Sequence, residues 1–237
     1  MSKKQTSEAV AELAASSPDK AREVAGLTDA IESAKDGTVE AKHSGIAVMG
    51  SHPGSVQEGP FDHDDWLIYA CSPHNLEFTA QDGINPGLRY LPGGKRADGG
   101  RFRVDEWFEV HLPLADATRP YGYLRELEKL PLVWMRDAEG LARIKGARQY
   151  PEKDLKQRFG PFFFTSSIAF MLAKAIVDCE QFGIPRIGIW GVHQASETEY
   201  TYQRPGIQYF IQRATELGIQ VIAPEVSKLF EPQRESF

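Results

Sequence analysis

The chain is poor in cysteine, with two in 237 residues, Cys71 and Cys179. A disulfide framework and a cysteine zinc site are therefore both excluded, and the composition fits a reducing compartment. Long apolar runs are missing too. No stretch approaches the roughly 20 residues a membrane span needs, and the lysine-bearing N-terminus has no apolar segment of the secretory type. Aromatic residues are absent from the first 42 positions, which hold mainly Ala, Ser, Glu and Lys. So thin an apolar stripe cannot bury a core, and residues 1–42 read as a flexible or partly helical tail. The expected location is the cytoplasm, without a membrane partner.

Charge of one sign is not dominant either. The formal net charge of −6 argues against generic nucleic-acid binding. Its distribution is uneven: residues 89–158 carry 15 Lys/Arg against 11 Asp/Glu, and the remainder 12 against 22. A basic middle segment suits either an anionic ligand or an ordinary solvated surface.

The segment 43–237 has the texture of a folded domain. Six short, nearly continuous apolar runs recur: Gly45–Met49, Trp66–Ala70, Trp107–His111, Leu132–Met135, Arg186–Trp190 and Ile219–Ala223. Runs of this kind suit strands buried on both faces of a parallel sheet. Between them, Thr165 to Phe182 has a helical stripe of Ile168, Met171, Leu172, Ala175, Ile176 and Cys179. Thr165 or Ser166 can cap its start, and Gly183 with Pro185 stops it. A second helix is expected to begin near Pro205, burying Ile207, Phe210, Ile211, Ala214 and Leu217, and a third to cover Tyr121–Leu130. Strands alternating with helices predict a doubly wound, mostly parallel, Rossmann-like α/β sheet. Residues 79–104, rich in glycine and basic side chains, read as a mobile surface insertion.

Ligands of open parallel sheets sit beyond the carboxyl ends of the strands, which selects the segments to inspect. After the first strand, Gly50-Ser51-His52-Pro53-Gly54-Ser55 reads as a tight turn whose exposed amides and the Ser51 and Ser55 hydroxyls suit a phosphate. Thr165, Ser166 and Ser167 place three hydroxyls at a helix start, where amides and dipole favour an anion or where one simply caps. After the fifth run, His193 is followed by Glu199, Tyr200, Gln203 and Arg204. Arg204 suits a bidentate grip on phosphate or carboxylate, and His193 with Glu199 suits an acid–base pair. Glu109 and His111 alternate at the end of the third run and so share a face, as a proton-transfer or metal-binding pair would. No third ligand is identifiable, so no metal site is assigned.

These motifs, in this order, resemble a Rossmann-like family common in bacteriophage genomes and their hosts. GSHPGS, WLIYACSPHN, WFEVH, the pair Tyr150-Pro151, FFTSSIAFMLAKAI, IGIWGV, EYTYQRPGIQYFI and GIQVIAPEVSKLF carry the resemblance over residues 45–230. At greater distance the pattern is similar to hydroxymethylpterin pyrophosphokinase-like proteins and to Rossmann-like bacterial sialyltransferases. Both have an early glycine–proline–serine turn at the nucleotide phosphates, a Thr/Ser-rich helix start and a Gly-x-Asp after a later strand. Ser51, Pro53, Gly54 and Ser55 match the first, and Thr165, Ser166 and Ser167 the second. At the third, Gly191-Val192-His193 has histidine where the pattern has aspartate. The resemblance implies a nucleotide-dependent transferase of the glycosyltransferase type. Ser51, Gly54, Ser55 and Thr165–Ser167 would lie on the nucleotide. Glu199, Tyr200, Gln203 and Arg204 would lie on the substrate, and Glu109, His111 or His193 would be the base. It implies a nucleotide or nucleotide sugar as cofactor, compatible with a divalent metal, and nucleic acid as partner only in the role of acceptor. Two alternatives stay open: diphosphate transfer from a nucleoside triphosphate, and a non-catalytic nucleotide-binding or phage–host interaction protein.

Overall fold

A computed structural model of the chain describes residues 42–71, 96, 98–100, 102–110, 127–136, 138–193, 200–227 and 229–230. The fold lies within the unit Ala41–Phe237. The proposed tail and most of the expected insertion fall outside the described residues.

Seven strands form one parallel sheet. They are β1 (Gly45–Met49), β2 (Trp66–Cys71), β3 (Glu106–Glu109), β4 (Val133–Met135), β5 (Ala147–Gln149), β6 (Arg186–Trp190) and β7 (Gln220–Ile222). Their order is β5-β4-β3-β2-β1-β6-β7, and every neighbouring pair runs parallel. From β1 the chain winds outward through β2 to β5, then returns to lay β6 on the other side of β1. The direction of winding therefore reverses between β1 and β6, which makes this a doubly wound, Rossmann-like α/β fold with its switch point at that crevice.

The apolar runs explain the sheet. Successive strand residues point to opposite faces, and both faces are covered. Ile46, Val48, Tyr69, Phe108, Ile187 and Ile189 join one buried cluster, which includes Met171, Leu172 and Ile176 of α4 (Ser167–Phe182) and Ile207 and Phe210 of α5 (Tyr200–Glu216). Ala47, Met49, Ile68, Ala70, Trp107, Val133 and Met135 join the other, with Val56 of α1 (Pro53–Val56) and Ile144 after α2 (Ala138–Arg143). One further helix, α3 (Glu152–Phe159), buries Leu155 and Phe159. Among the described residues no helix is long and apolar enough to cross a membrane.

Helix α4 begins and ends as its sequence predicts. Ser166 is extended and accepts a hydrogen bond from Ala169 N–H, while Gly183 closes the helix at φ +66°. Other expectations are corrected. The sheet has a seventh strand, because Ala147–Gln149 is a half-exposed edge with no apolar run to betray it. The third strand ends at Glu109, and His111 lies outside the described residues. Helix α5 starts at Tyr200 and holds Pro205 inside it. A proline near a helix start removes only one early backbone bond. Leu217 is 39% exposed instead of buried, since it follows the last helical residue. Of the helix expected over Tyr121–Leu130, only Leu127–Leu130 are described, with Leu127 helical and the rest a turn.

One buried polar network ties α4 to the sheet. Tyr69 Oη donates to Asp178 Oδ2 at 2.5 Å, and Lys174 Nζ donates to both Asp178 oxygens at 2.6 and 2.5 Å. Trp134 Nε1 donates to Glu106 Oε2, and Lys174 Nζ lies 4.8 Å from the centre of the Trp134 ring. The Asp178 and Lys174 side chains are 5% and 12% exposed. Burial, with Glu106 and Asp178, pushes the Tyr69 phenol well above its ordinary pKa. Removing one member strands the others. Asp178→Ala should cost about 3–5 kcal/mol, by the rule for breaking a buried pair. The triple replacement Tyr69→Phe/Lys174→Met/Asp178→Leu should cost less than that single change. Urea unfolding at pH 7 measures both, and a single-variant loss under about 1 kcal/mol would contradict a buried network.

Candidate functional site

The β1/β6 switch point is built by backbone in very close approach. The ladder continues past the strands: Gly50 N–H donates to Trp190 O at 2.7 Å and His52 N–H to Gly191 O at 2.8 Å. A Cβ on Gly50 would lie 2.2 Å from Gly191 O, and one on Gly191 would lie 2.4 Å from Gly50 O. Gly191 also has φ +68°, a conformation glycine adopts without steric cost. Only glycine fits at either position.

This approach brings two histidines together. The rings of His52 and His193 stack with centroids 4.1 Å apart and planes within 8°. The Nε2 of His193 is shielded from water and has no hydrogen-bond partner among the described residues. Burial first, and the neighbouring His193 second, hold the His52 imidazole below its ordinary pKa. His52 was not among the residues singled out from the sequence. The GSHPGS turn drew attention to its serines and glycines, yet its histidine is the side chain that meets His193.

The turn itself differs from expectation. Several of its amides are engaged within the fold: besides Gly50 and His52, the Ser55 and Val56 N–H groups donate to His52 O. Ser55 is fully buried, and its Oγ accepts from Gly191 N–H at 3.0 Å. The expectation of a Ser55 hydroxyl turned to a ligand is thus corrected: Ser55 pins β6 to α1. Ser51 is half-buried and Gly54 lies within the single turn of α1.

The hydroxyls at the start of α4 are likewise bonded within the protein. Ser166 is the cap, Thr165 Oγ1 donates to Gln203 O at 3.2 Å, and Ser167 hydrogen-bonds the Cys71 thiol. These bonds join segments that the sequence left apart. Thr165 meets the first turns of α5, where Gln203 and Arg204 are half-buried. Phe163 stacks on Tyr209 at 3.9 Å, and a Cβ on Gly206 would strike Thr165 Oγ1 and Phe163 O. The start of α4 and the start of α5 therefore form one seam. Tyr200 is the first residue of α5, and Glu199 lies outside the described residues.

A second group gathers at the ends of β2, β3 and β4. Glu109 is 1% exposed, and its carboxylate acts on Cys71. Burial and then Glu109 push the Cys71 thiol up to about 12, against the opposing Ser167 bond. Cys71 is therefore protonated at neutral pH and is not a nucleophile. Arg136, which the sequence did not flag, grips Glu152 through Nε and Nη2 at 2.6 and 2.9 Å. It also donates to Val110 O and lies over the Phe170 ring.

The basic insertion is tied down where it is described. Arg96 is 9% exposed and pairs with Asp62 and Asp98, while Arg103 donates to His63 O and Trp66 O. These two arginines are engaged inside the fold. Among the described residues, no group of three or more His, Cys, Asp or Glu side chains is placed to hold a metal ion. No family model matches the chain, and no curated protein or solved structure matches it either.

Proposed function

We propose that the protein is a nucleotide-dependent transferase of the glycosyltransferase type, working at the β1/β6 switch point. The observation that carries this reading is His193: its Nε2 lacks a partner among the described residues, in the crevice where open parallel sheets bind ligands. A buried imidazole nitrogen without a partner is costly unless a ligand completes it. The resemblance of its motif order to phage and host Rossmann-like proteins supports the same reading.

The roles follow from position. In this reading His193 is the base that takes the proton of the acceptor hydroxyl. The acceptor oxygen attacks the anomeric carbon of the sugar, and the bond from that carbon to the phosphate oxygen breaks. The nucleotide leaves with the electron pair. In this reading Arg204 and Gln203 of α5, with Ser167 at the start of α4, lie on the nucleotide side of the crevice, and Arg204 suits its phosphates. Ser51 lines the near wall. Glu109 is a second acid–base candidate, at the end of β3.

One observation favours a second reading, a nucleotide binder without turnover: Gly191-Val192-His193 has histidine where the related pattern has aspartate. A thermal-shift screen against nucleotides and nucleotide sugars, with and without Mg²⁺ and Mn²⁺, tests both. A ligand at 100 times its Kd stabilises by about 2.7 kcal/mol. A selective shift, lost in Arg204→Ala, is expected. A flat screen would sink both readings, and a shift without transfer would leave only the binder.

A further inference from the structure

Two serines beside the switch point are buried, and they differ in one respect. Ser55 Oγ accepts a bond from Gly191 N–H inside the fold. Ser227 is 1% exposed, and its Oγ is shielded from water and has no hydrogen-bond partner among the described residues. The Ser227 N–H is satisfied by Pro224 O at 2.9 Å, so the hydroxyl is what is left over. A buried hydroxyl without a partner is costly unless something completes it.

The chain path brings this hydroxyl to the crevice. Ser227 ends a 3₁₀ turn, Glu225–Ser227, that follows β7. The turn packs on α1. Helix α1 in turn lies against the end of β6, where a Cβ on Gly191 would sit 3.2 Å from Val56 Cβ. Val56 belongs to the buried cluster on one face of the sheet and Leu229 to the cluster on the other. Leu229 O accepts from Gln208 Nε2 of α5 at 3.1 Å. Between Ser227 and Leu229 the chain therefore passes from α1 to α5, across the carboxyl end of β6. Two shielded polar atoms without a partner among the described residues thus lie at this end of β6, His193 Nε2 and Ser227 Oγ.

A serine hydroxyl both donates and accepts. A sugar hydroxyl uses both capacities, and a phosphate oxygen only one. We propose that Ser227 is a ligand-binding residue of the crevice, its Oγ hydrogen-bonded to a hydroxyl of a sugar ring held beside His193. That the sugar takes part in a transfer rests on the transferase reading; the place of Ser227 in the crevice wall does not.

The experiment has two arms, both on the full chain. The first compares the thermal midpoints of ligand-free wild type, Ser227→Ala and Ser55→Ala. Ser227→Ala should be at least as stable as wild type, because it removes a hydroxyl the fold does not bond. Ser55→Ala should have a lower midpoint, because it removes one that the fold does bond. A midpoint lowered as far in Ser227→Ala as in Ser55→Ala, or a Ser227→Ala chain that does not fold, would overturn the proposal. The second arm measures affinity by calorimetry for nucleotide sugars, the matching nucleoside diphosphates, free monosaccharides and inorganic pyrophosphate. Ser227→Ala should weaken sugar-bearing probes about 3- to 10-fold, the worth of one uncharged hydrogen bond, and leave pyrophosphate unchanged. A loss seen with nucleoside diphosphates as well assigns the hydroxyl to the ribose, and a loss confined to nucleotide sugars or monosaccharides assigns it to the other sugar. Equal affinity in both proteins, an equal loss with pyrophosphate, or no binding of any probe would overturn the proposal. Monosaccharide binding that weakens in Ser227→Ala, with no response to nucleotides or nucleotide sugars, would reject the transferase reading alone.

Discussion

Gly191→Ala should destabilise the protein by about 2–5 kcal/mol. Two costs add. A non-glycine residue at φ +68° carries roughly 1–2 kcal/mol of backbone strain. The added methyl also meets Gly50 O at 2.4 Å, and overpacking of this kind costs about 1–3 kcal/mol. The fold supplies its own controls. Gly183 has nearly the same φ, +66°, but a Cβ there meets nothing within 4 Å. Gly183→Ala should therefore show the strain alone, about 1 kcal/mol. Gly50 does not adopt a positive φ, yet its Cβ would lie 2.2 Å from Gly191 O, so Gly50→Ala should show the clash alone. Urea unfolding of the three variants separates the terms. Equal losses at Gly183 and Gly191 would mean that the close approach at the switch point does not exist as described.

The second large effect is on activity. His193→Gln should lower transfer by about 10²–10⁴-fold, the usual contribution of a positioned base, while the fold survives. The side chain is only half-buried and its Nε2 has no hydrogen-bond partner among the described residues. Glutamine can donate and accept hydrogen bonds but cannot take up a proton near neutral pH. Nucleotide affinity should therefore change far less than turnover. That split distinguishes a base from a residue that merely shapes the crevice.

The sheet was legible because it is buried on both sides. Runs such as GIAVM and RIGIW leave no polar face, and their spacing around a capped, amphipathic α4 dictates parallel pairing. The edge was not legible: Ala147–Gln149 is half-exposed and reads as an ordinary polar stretch. Pro205 misled because proline is a strong start signal, yet α5 tolerates it a turn further in. At the site, the two crevice segments were found from the carboxyl-end rule, and His193 with them. His52 was missed because a sequence does not say which side of a tight turn faces inward. Once α1 forms, Ser55 turns into the core to hold Gly191, and His52 is left facing His193. The same local geometry takes Ser55, Thr165 and Ser166 away from the ligand roles that their residue types suggested.

The central claim is that the switch-point crevice carries out transfer with His193 as base. Its most direct test is the release of free nucleotide from a panel of nucleotide sugars, followed by chromatography, using wild type and His193→Gln of equal thermal stability. The account predicts release from at least one donor by wild type and its loss in the variant. Release at the same rate in both proteins, or intact donor after prolonged incubation with stoichiometric wild-type protein, would contradict it.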